Sequence, residues 1–429
     1  MCRAADFRLN RARASMLGGK LRRDPRLNRR APAGNGVNDM SGEKYPCGTP
    51  KPHSATGDRR SERDTSGDLQ KQLLSGRQVE PIRLKGNENL ADMIDHCFAG
   101  SGFNGRRLAE ACELYSRMLK KGATVGLTLS GAMTPIGMQG VLMSLMEAGF
   151  VDWIISTGAN LYHDLHRAFD CPVAQGHWAT DDNELADIGV ARIYDTYIGE
   201  DSTLMATDKV ILEAARSLER NKPVSTARFH WELGRELAKH APHPEKSMLI
   251  AAQKFGVPIY TSSPGDSSIG MNLVVPQLLG QPIVLDPVRD IIETAAIVRA
   301  ADENGVIHVG GGSPKNFYLQ TQPTLHQILF DDTGGGHDYF IQLTTDAPHW
   351  GGLSGATPSE ARSWGKIADA NVNNVVVYSC ASLTLPLLAQ YVLIRNERRP
   401  LRRLYETIDG AVEELRAHAA KNPELKGMS

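Results

Sequence analysis

Short apolar runs alternate with longer amphipathic stretches from about residue 85 onward. Residues 106–121 carry apolar side chains at helical spacing on one face, and a β-branched run at residues 124–129 follows them. Further predicted strands lie at residues 151–155, 193–198, 257–260, 283–285, 306–309, 339–343 and 375–378. Short buried strands that alternate with helices predict an α/β fold, doubly wound and Rossmann-like, with a mainly parallel sheet covered on both faces.

The first 76 residues lack this pattern. They are rich in Arg, Gly, Pro, Ser and Asn, and residues 1–30 hold ten Lys or Arg and two acidic residues, a net charge of +8. We predict a disordered basic extension at residues 1–76 and one α/β domain at residues 77–429. The extension could be a tail, a segment ahead of a true start at Met16 or Met40, or an organelle targeting sequence.

Composition narrows the class of protein. Hydrophobic residues make up 41% and charged residues 23% of the chain, which is typical of soluble globular proteins. A net charge of -1 argues against bulk binding of nucleic acid, and no apolar run reaches the roughly 18 residues of a membrane helix. We therefore expect neither nucleic acid nor a membrane as partner. Six widely spread cysteines without a C-x-x-C motif indicate a reducing compartment, so we expect a cytoplasmic protein.

Four loops rich in small residues follow predicted strands. In parallel α/β sheets, ligands bind outside the carboxyl ends of the strands, where loops lead into helix N-termini. Glycine in such a loop is often only a turn device, but four loops in register favour a nucleotide or dinucleotide. These loops are residues 130–135, 156–160, 261–266 and 310–315.

Two motifs are rejected. Residues 100–105 match G-x-G-x-x-G, but a helical pattern and not a strand precedes them, so we predict a turn between helices. His163 and His166 could share one helix face, but no third ligand is evident. We favour a pair on the helix surface over a metal site, and we predict no bound metal.

The segment at residues 344–366 has the strongest chemical signal, with two of the five tryptophans of the chain. Thr357 and Glu360 form a capping-box pattern, which predicts a short helix ending near Lys366. A lysine at a helix end is commonly a solvated partner of the helix dipole. Beside Trp364, however, a desolvated Lys366 would lose proton affinity, and a neutral amine can attack a carbonyl or imine carbon. Both interpretations stay open from the residues alone.

These residues resemble a known family. The run Ser363-Trp364-Gly365-Lys366-Ile367, with the upstream Ser354-Gly355-Ala356 and Glu360, resembles the active-site segment of deoxyhypusine synthases. The resemblance covers about residues 85–415. The sequences of residues 127–131 and 350–355 look like those of the prokaryotic deoxyhypusine synthase-like branch. It continues, in the family's order, at residues 266–270, 285–286, 310–312, Tyr378 and 381–383.

The resemblance implies an NAD-dependent aminobutyl transfer. In the family, spermidine is oxidised, the butylamine is held as an imine on a lysine that matches Lys366, and an acceptor amine then takes it. A homotetramer with sites at subunit interfaces is also implied. Family positions for substrate binding match Glu360, Trp364 and His163, and those for the cofactor match Thr157, Gly158, Asp266, Gly310, Gly311, Gly312, Thr345, Ala381 and Ser382.

Several family positions are changed. The imidazole that is thought to assist proton transfer falls on Asn316, and two acidic polyamine-binding positions fall on Met271 and Leu353. A glutamate of the second loop falls on His163, and a Ser-Asn pair falls on Gly131-Ala132. A dication favours carboxylates, so the reaction type is a firmer expectation than the substrates.

Three functions therefore compete. The acceptor could be the lysine of a hypusine-type translation factor, or it could be putrescine or another small amine, as in homospermidine synthases. A third possibility is a catalytically silent protein that binds NAD or polyamine. The retained Lys366 argues against it, because a binding protein needs no nucleophile.

Overall fold

Most of the apolar runs form a sheet of six parallel strands. The structure, a computed structural model, describes residues 63–331, 335–369, 371 and 373–426. Across the sheet the order is β6-β5-β4-β1-β2-β3, and each neighbouring pair is parallel. This confirms the doubly wound, mainly parallel fold, in the strand order typical of Rossmann folds. The strands are β1 (Thr124–Leu129), β2 (Trp153–Ser156), β3 (Ile259–Thr261), β4 (Asn304–Val309), β5 (Tyr339–Thr344) and β6 (Asn374–Tyr378).

One predicted strand is wrong. Residues 193–198 were expected to form a single strand, but Val190–Ile193 and Thr196–Gly199 pair as an antiparallel hairpin, which Val173–Gln175 extends. The turn between them contains Tyr194 with a φ of 54°, in the left-handed region. A non-glycine residue rarely adopts this conformation, so no residue in the turn indicated a reversal of the chain. The apolar alternation therefore looked like that of one continuous strand.

Side chains alternate between two cores on the two faces of the sheet. In β1, Val125 and Leu127 pack into one core, whereas Gly126 faces the other. A Cβ atom at Gly126 would lie 2.3 Å from the ring of Tyr318, which stacks on Trp153 with ring centroids 4.7 Å apart. Glycine at this position lets the two aromatic rings lie flat against the centre of the sheet.

Helices cover both faces. Phe103–Lys121 and Ala381–Arg395 pack on one face, and Pro287–Ala300, Gly312–Pro323 and Leu404–Lys421 pack on the other. No helix among the described residues is long and apolar enough to cross a membrane. The other α-helices are Arg63–Leu74, Leu90–Met93, Gln139–Glu147, Gly158–Asp164, Asp182–Asp187, Ala206–Ala215, Thr226–Ala238, Met248–Phe255, Ser268–Asn272, Val274–Leu278, Pro358–Ser363 and Pro423–Lys426.

Shorter elements connect these helices and strands. Pro223–Val224 pairs in parallel with Val284–Leu285, so the predicted strand at residues 283–285 lies outside the main sheet. The π-helical turns are Ile94–Phe98, Glu200–Met205 and Thr324–Ile328, and the 3-10 turns are His166–Phe169, Pro244–Lys246 and Pro348–Trp350.

The rejected G-x-G-x-x-G motif joins two helical segments. Ile94–Phe98 precedes it, and Gly102 is the N-cap of Phe103–Lys121. No strand leads into these glycines, so the prediction of a turn between helices is confirmed.

The structure tests the predicted disorder of residues 1–76 only at the end of that segment. Residues 1–62 lie outside the described residues, and Arg63–Leu74 form an α-helix where we predicted no regular structure. Leu69 and Leu73 are four residues apart and more than half exposed, a spacing that suits a helix but buries little apolar surface. The domain boundary at residue 77 stays a prediction.

A buried ion pair connects the segment that follows helix Ala381–Arg395 to the amino-terminal edge of the sheet. Asp152, only 3% exposed, accepts a hydrogen bond from the Val125 N–H at 2.8 Å and pairs with Arg399 at 3.1 Å. The Arg399 guanidinium also donates to the carbonyls of Ala123 and Gly149. Burial raises the pKa of Asp152, and the charge of Arg399 opposes that rise.

Candidate active site

Every candidate cofactor residue follows a strand at the carboxyl edge of the sheet. Because the strands are parallel, the structure brings these loops to one side of the molecule, as predicted. Thr157 and Gly158 follow β2, Asp266 follows β3, Gly310, Gly311 and Gly312 follow β4, Thr345 follows β5, and Ala381 and Ser382 follow β6.

The loops after β1 and β4 meet where the strand order reverses. The Ser130 hydroxyl donates to the carbonyl of Gly311 at 2.5 Å, and the Gly312 N–H donates to Ser354 Oγ at 3.0 Å. A Cβ atom at Gly311 would lie 2.4 Å from Ser354 Cα, and Gly310 has a φ of 75°. The triple glycine is thus needed both for close backbone approach and for a left-handed turn.

This crevice fits a dinucleotide. Among the described residues, apart from the chain neighbours and the helix's own backbone, nothing lies within 4 Å of the place where a Cβ would stand at Gly131 or Gly312, so the backbone on both sides of the crevice is open. The helices Gly312–Pro323 and Ala381–Arg395 both begin at this edge, so the N–H groups of their first turns and the positive ends of their dipoles lie on the same side. These groups could hold the phosphates of NAD.

The predicted short helix is confirmed at Pro358–Ser363. Thr357 is its N-cap, with Oγ1 accepting from the Glu360 N–H at 3.1 Å. Lys366 lies three residues beyond the helix, where the His337 N–H donates to its carbonyl at 3.0 Å. The backbone of Lys366 is therefore held against the segment that leads into β5.

The Lys366 side chain enters a cavity of about 280 Å³ that Glu360, Trp364 and Leu353 also line. Its Nζ donates to Asn316 Oδ1 at 3.0 Å and lies 5.5 Å from the Trp364 ring centroid. Burial lowers the pKa of Lys366, and Glu360 partly opposes this effect. The structure thus brings together three of the four residues predicted to contact the substrate. The Lys366 amine is partly buried, and its role as nucleophile stays a prediction.

The fourth residue, His163, does not line this cavity. Its Nδ1 lies 2.9 Å from His166 Nε2, and His166 Nδ1 lies 2.7 Å from Thr207 Oγ1. His166 is fully buried and His163 is half-buried, so the predicted surface pair is wrong: the short helix packs this face inward. Burial lowers the pKa of His163 to about 4 and that of His166 to about 3.

A role for His163 in substrate binding stays a prediction. The neighbouring Asp164, an acid beside the position where the family has a glutamate, is buried, and its carboxylate accepts from Ser247 Oγ and from the backbone N–H of Met248. Met271 lies outside the cavity of Lys366 and is 66% exposed. Among the described residues, no group of three or more His, Cys, Asp or Glu side chains could hold a metal ion.

Lys315 is a residue of this site that the sequence reasoning missed. It is 1% exposed and lines the cavity of Lys366. Its Nζ donates to Gln342 Oε1 at 3.0 Å and to the Ala356 carbonyl at 2.7 Å, and burial lowers its pKa to about 8. Gln342 in turn donates to the carbonyls of Gly310 and Ser354. Its only sequence signal was its place at the end of the glycine-rich loop after β4.

Comparisons with known proteins agree with the fold and with these motifs. A family model described as deoxyhypusine synthase matches residues 92–392. A deoxyhypusine synthase-like protein of Nostoc punctiforme is 45% identical over 357 residues, which cover 81% of this chain and 90% of that protein. A "probable deoxyhypusine synthase 2" of Methanosarcina acetivorans is 39% identical over 318 residues, 74% of this chain and 90% of that one.

A solved structure extends the likeness to the fold. The crystal structure of a "putative deoxyhypusine synthase" from Entamoeba histolytica covers 76% of this chain and 100% of its own, with a TM-score of 0.51 at 16% identity. The family model covers more than half of this chain, and the relatives exceed 30% identity over most of it. The chain belongs to the deoxyhypusine synthase family.

Proposed function

We propose that this protein is an NAD-dependent aminobutyl transferase that uses spermidine as donor through an imine on Lys366. Membership in the deoxyhypusine synthase family implies a transferase and supports aminobutyl transfer in general. The observation that carries the finer proposal is the partly buried Lys366 amine, which donates to Asn316 in a cavity with Glu360 and Trp364.

The described residues suit each part of this chemistry. NAD, held by the glycine-rich loops, would supply hydride transfer to and from the carbon beside the secondary amine of spermidine. The neutral Lys366 amine attacks the resulting imine carbon, the bond from that carbon to the former secondary nitrogen breaks and 1,3-diaminopropane leaves, while Asn316 orients the Lys366 amine. Glu360 lines the cavity and offers a carboxylate to the cationic end of the donor, and the exposed Trp364 ring can cover a second cation.

Two alternatives remain as outcomes of experiment. A catalytically silent binding protein would gain nothing from a desolvated amine, which costs free energy to bury. The small-amine acceptor of homospermidine synthases has firmer support. Apolar Leu353 lines the cavity at a position where the family has an acid, and Asn316 replaces an imidazole beside Lys366.

We expect the acceptor to include small diamines as well as, or instead of, a protein lysine. An apolar wall contacts the methylene chains of several amines equally well, which weakens selection for one acceptor. Purified protein is incubated with NAD, spermidine, putrescine and a translation factor of the hypusine type, and the masses of amines and protein are measured. Homospermidine or another small aminobutylated amine is the expected product.

A different product would show that the acceptor is the lysine of a translation factor. If aminobutylated translation factor is the only product, even with diamines in large excess, the altered cavity does not change specificity. Aminobutylation of neither class, with spermidine and NAD unchanged, would favour the silent binding protein.

The proposal extends to assembly and location. We further propose a homotetramer with sites at subunit interfaces, as family membership implies; Leu278 and Leu279 are 80% and 74% exposed, and such apolar residues suit a subunit contact. The described cysteines are free, and three of the four are buried, which supports a reducing, cytoplasmic environment.

A further inference from the structure

Imine formation on Lys366 needs a partner that accepts a proton. An ammonium has no lone pair, so the nitrogen must lose one hydrogen before it attacks carbon. Asn316, the side chain that touches Lys366 Nζ, is an amide and cannot take that proton. The carboxylate of Glu360 is solvent-exposed, and carboxylates are much weaker bases than amines. Among the other described side chains that line the cavity, Lys315 is the remaining one that can take up a proton.

Lys315 Nζ has two hydrogen-bond acceptors and also lies 5.6 Å from the centroid of the Phe340 ring. Its two described acceptors, Gln342 Oε1 and the Ala356 carbonyl, match the two hydrogens of an uncharged –NH₂ group. The assignment of Gln342 Oε1 is fixed by its own network, because Nε2 donates to two carbonyls. No third acceptor lies within reach of Lys315 Nζ among the described residues, so its remaining tetrahedral position is left for the cavity.

We propose that Lys315 is the proton acceptor for Lys366 in this chain. One N–H bond of the Lys366 ammonium breaks, its electron pair stays on nitrogen as the nucleophilic lone pair, and the proton moves to Lys315, directly or through one water. When the imine carbon expels the departing amine, the Lys315 ammonium returns the proton to that amine. Lys315 is neutral again at the end of each imine exchange, and no other reactant is needed.

The surroundings of Lys315 favour this exchange. Burial is the main cause that lowers its pKa to about 8, and the positive charge of Lys366 lowers it further. Glu360 and Asp346 oppose these effects, and the buried His308 beneath it is kept neutral because burial lowers its own pKa. Burial lowers the pKa of both amines, so neither holds a proton as firmly as a solvated lysine would.

This inference rests on the proposed function, but its test can bypass the donor and the cofactor. The aldehyde 4-aminobutanal forms the same imine on Lys366 without oxidation of spermidine, and borohydride traps it for mass measurement. Trapping rates are compared for the wild type, Lys315→Met and Lys315→Arg, with Lys121→Met as a surface control. Melting temperatures verify that each variant folds.

Both Lys315 variants should trap the imine about 10²- to 10⁴-fold more slowly, whereas Lys121→Met should match the wild type. The wild-type rate should rise as pH increases through about 8, where Lys315 loses its proton, and this rise should be absent from both variants. Arginine keeps the positive charge but has no neutral form near pH 7, so it separates a base from a positioning cation. In Lys315→Ala, added methylamine should restore the rate in proportion to its free base.

Each contrary result identifies which idea fails. A wild-type rate in Lys315→Arg, or rescue that follows the ammonium form of methylamine, would overturn the proton-acceptor role and leave the transferase proposal intact. If the aldehyde imine depends on Lys315 but spermidine with NAD gives no adduct, the transferase proposal fails and the Lys315 role stands. If the aldehyde forms no adduct on Lys366 in the wild type, both are contradicted.

Discussion

Replacing Lys366 by arginine should abolish the adduct that borohydride traps from spermidine and NAD, and should slow aminobutyl transfer by on the order of 10⁴-fold or more. Arginine keeps the positive charge, but its guanidinium has no neutral form near pH 7 and cannot form an imine. The measurement is the mass of the peptide that contains Lys366, which in the wild type should gain one butylamine unit.

The control for this change is Lys121→Arg, a substitution of an exposed lysine far along the sequence from the cavity. It should leave both the adduct and the transfer rate unchanged. Lys366 donates one side-chain hydrogen bond, to Asn316, so its replacement should shift the melting temperature little. A butylamine adduct on another lysine, Lys315 above all, would show that the nucleophile is wrongly assigned.

Replacing Arg399 by methionine should lower the free energy of unfolding by about 3–5 kcal/mol, because it leaves the buried carboxylate of Asp152 without its main counter-charge. Arg402, at 3.6 Å from the same oxygen, is the remaining cation and compensates only in part. Chemical denaturation of the purified protein measures the loss.

The neighbouring Arg398 supplies a matched control, since its pair with Glu147 lies on the surface. Arg398→Met should cost less than about 1 kcal/mol. Without Arg399, the pKa of Asp152 in the folded state rises further above its unfolded value. Stability is then retained at low pH and lost as pH rises, so the defect should be larger near pH 8 than near pH 5. Equal losses for the two arginines would contradict a buried role for Arg399.

The sheet could be predicted because its signals are local. The bounds of β1 at Thr124–Leu129 and of the helix Pro287–Ala300 follow directly from their apolar patterns and flanking residues. The hairpin at Val190–Ile193 and Thr196–Gly199 was missed because Tyr194 makes a left-handed turn that a propensity argument does not expect. Helix Arg63–Leu74 was missed because it has little apolar periodicity.

The site was predictable only where its residues are close in sequence. Glu360, Trp364 and Lys366 lie within seven positions, so a local motif identified them. The burial of Lys315 depends on Gln342 and Ala356, 27 and 41 residues away, and no local pattern encodes such contacts. The inward orientation of the His163–His166 pair is likewise set by tertiary packing, which hydrophobic spacing alone could not reveal.

The strand order has a consequence for the synthesis of the protein on the ribosome. β1 pairs with β4, yet Asn304 is made 175 residues after Leu129. At about 5–20 residues per second, the nascent chain waits roughly 10–35 s with one edge of a fully buried strand unpaired. A chain stopped before β4 should therefore be captured by chaperones that hold unfolded segments, and one stopped after β6 should escape them. The crevice between the loops after β1 and β4 is thus among the last parts of the domain to form.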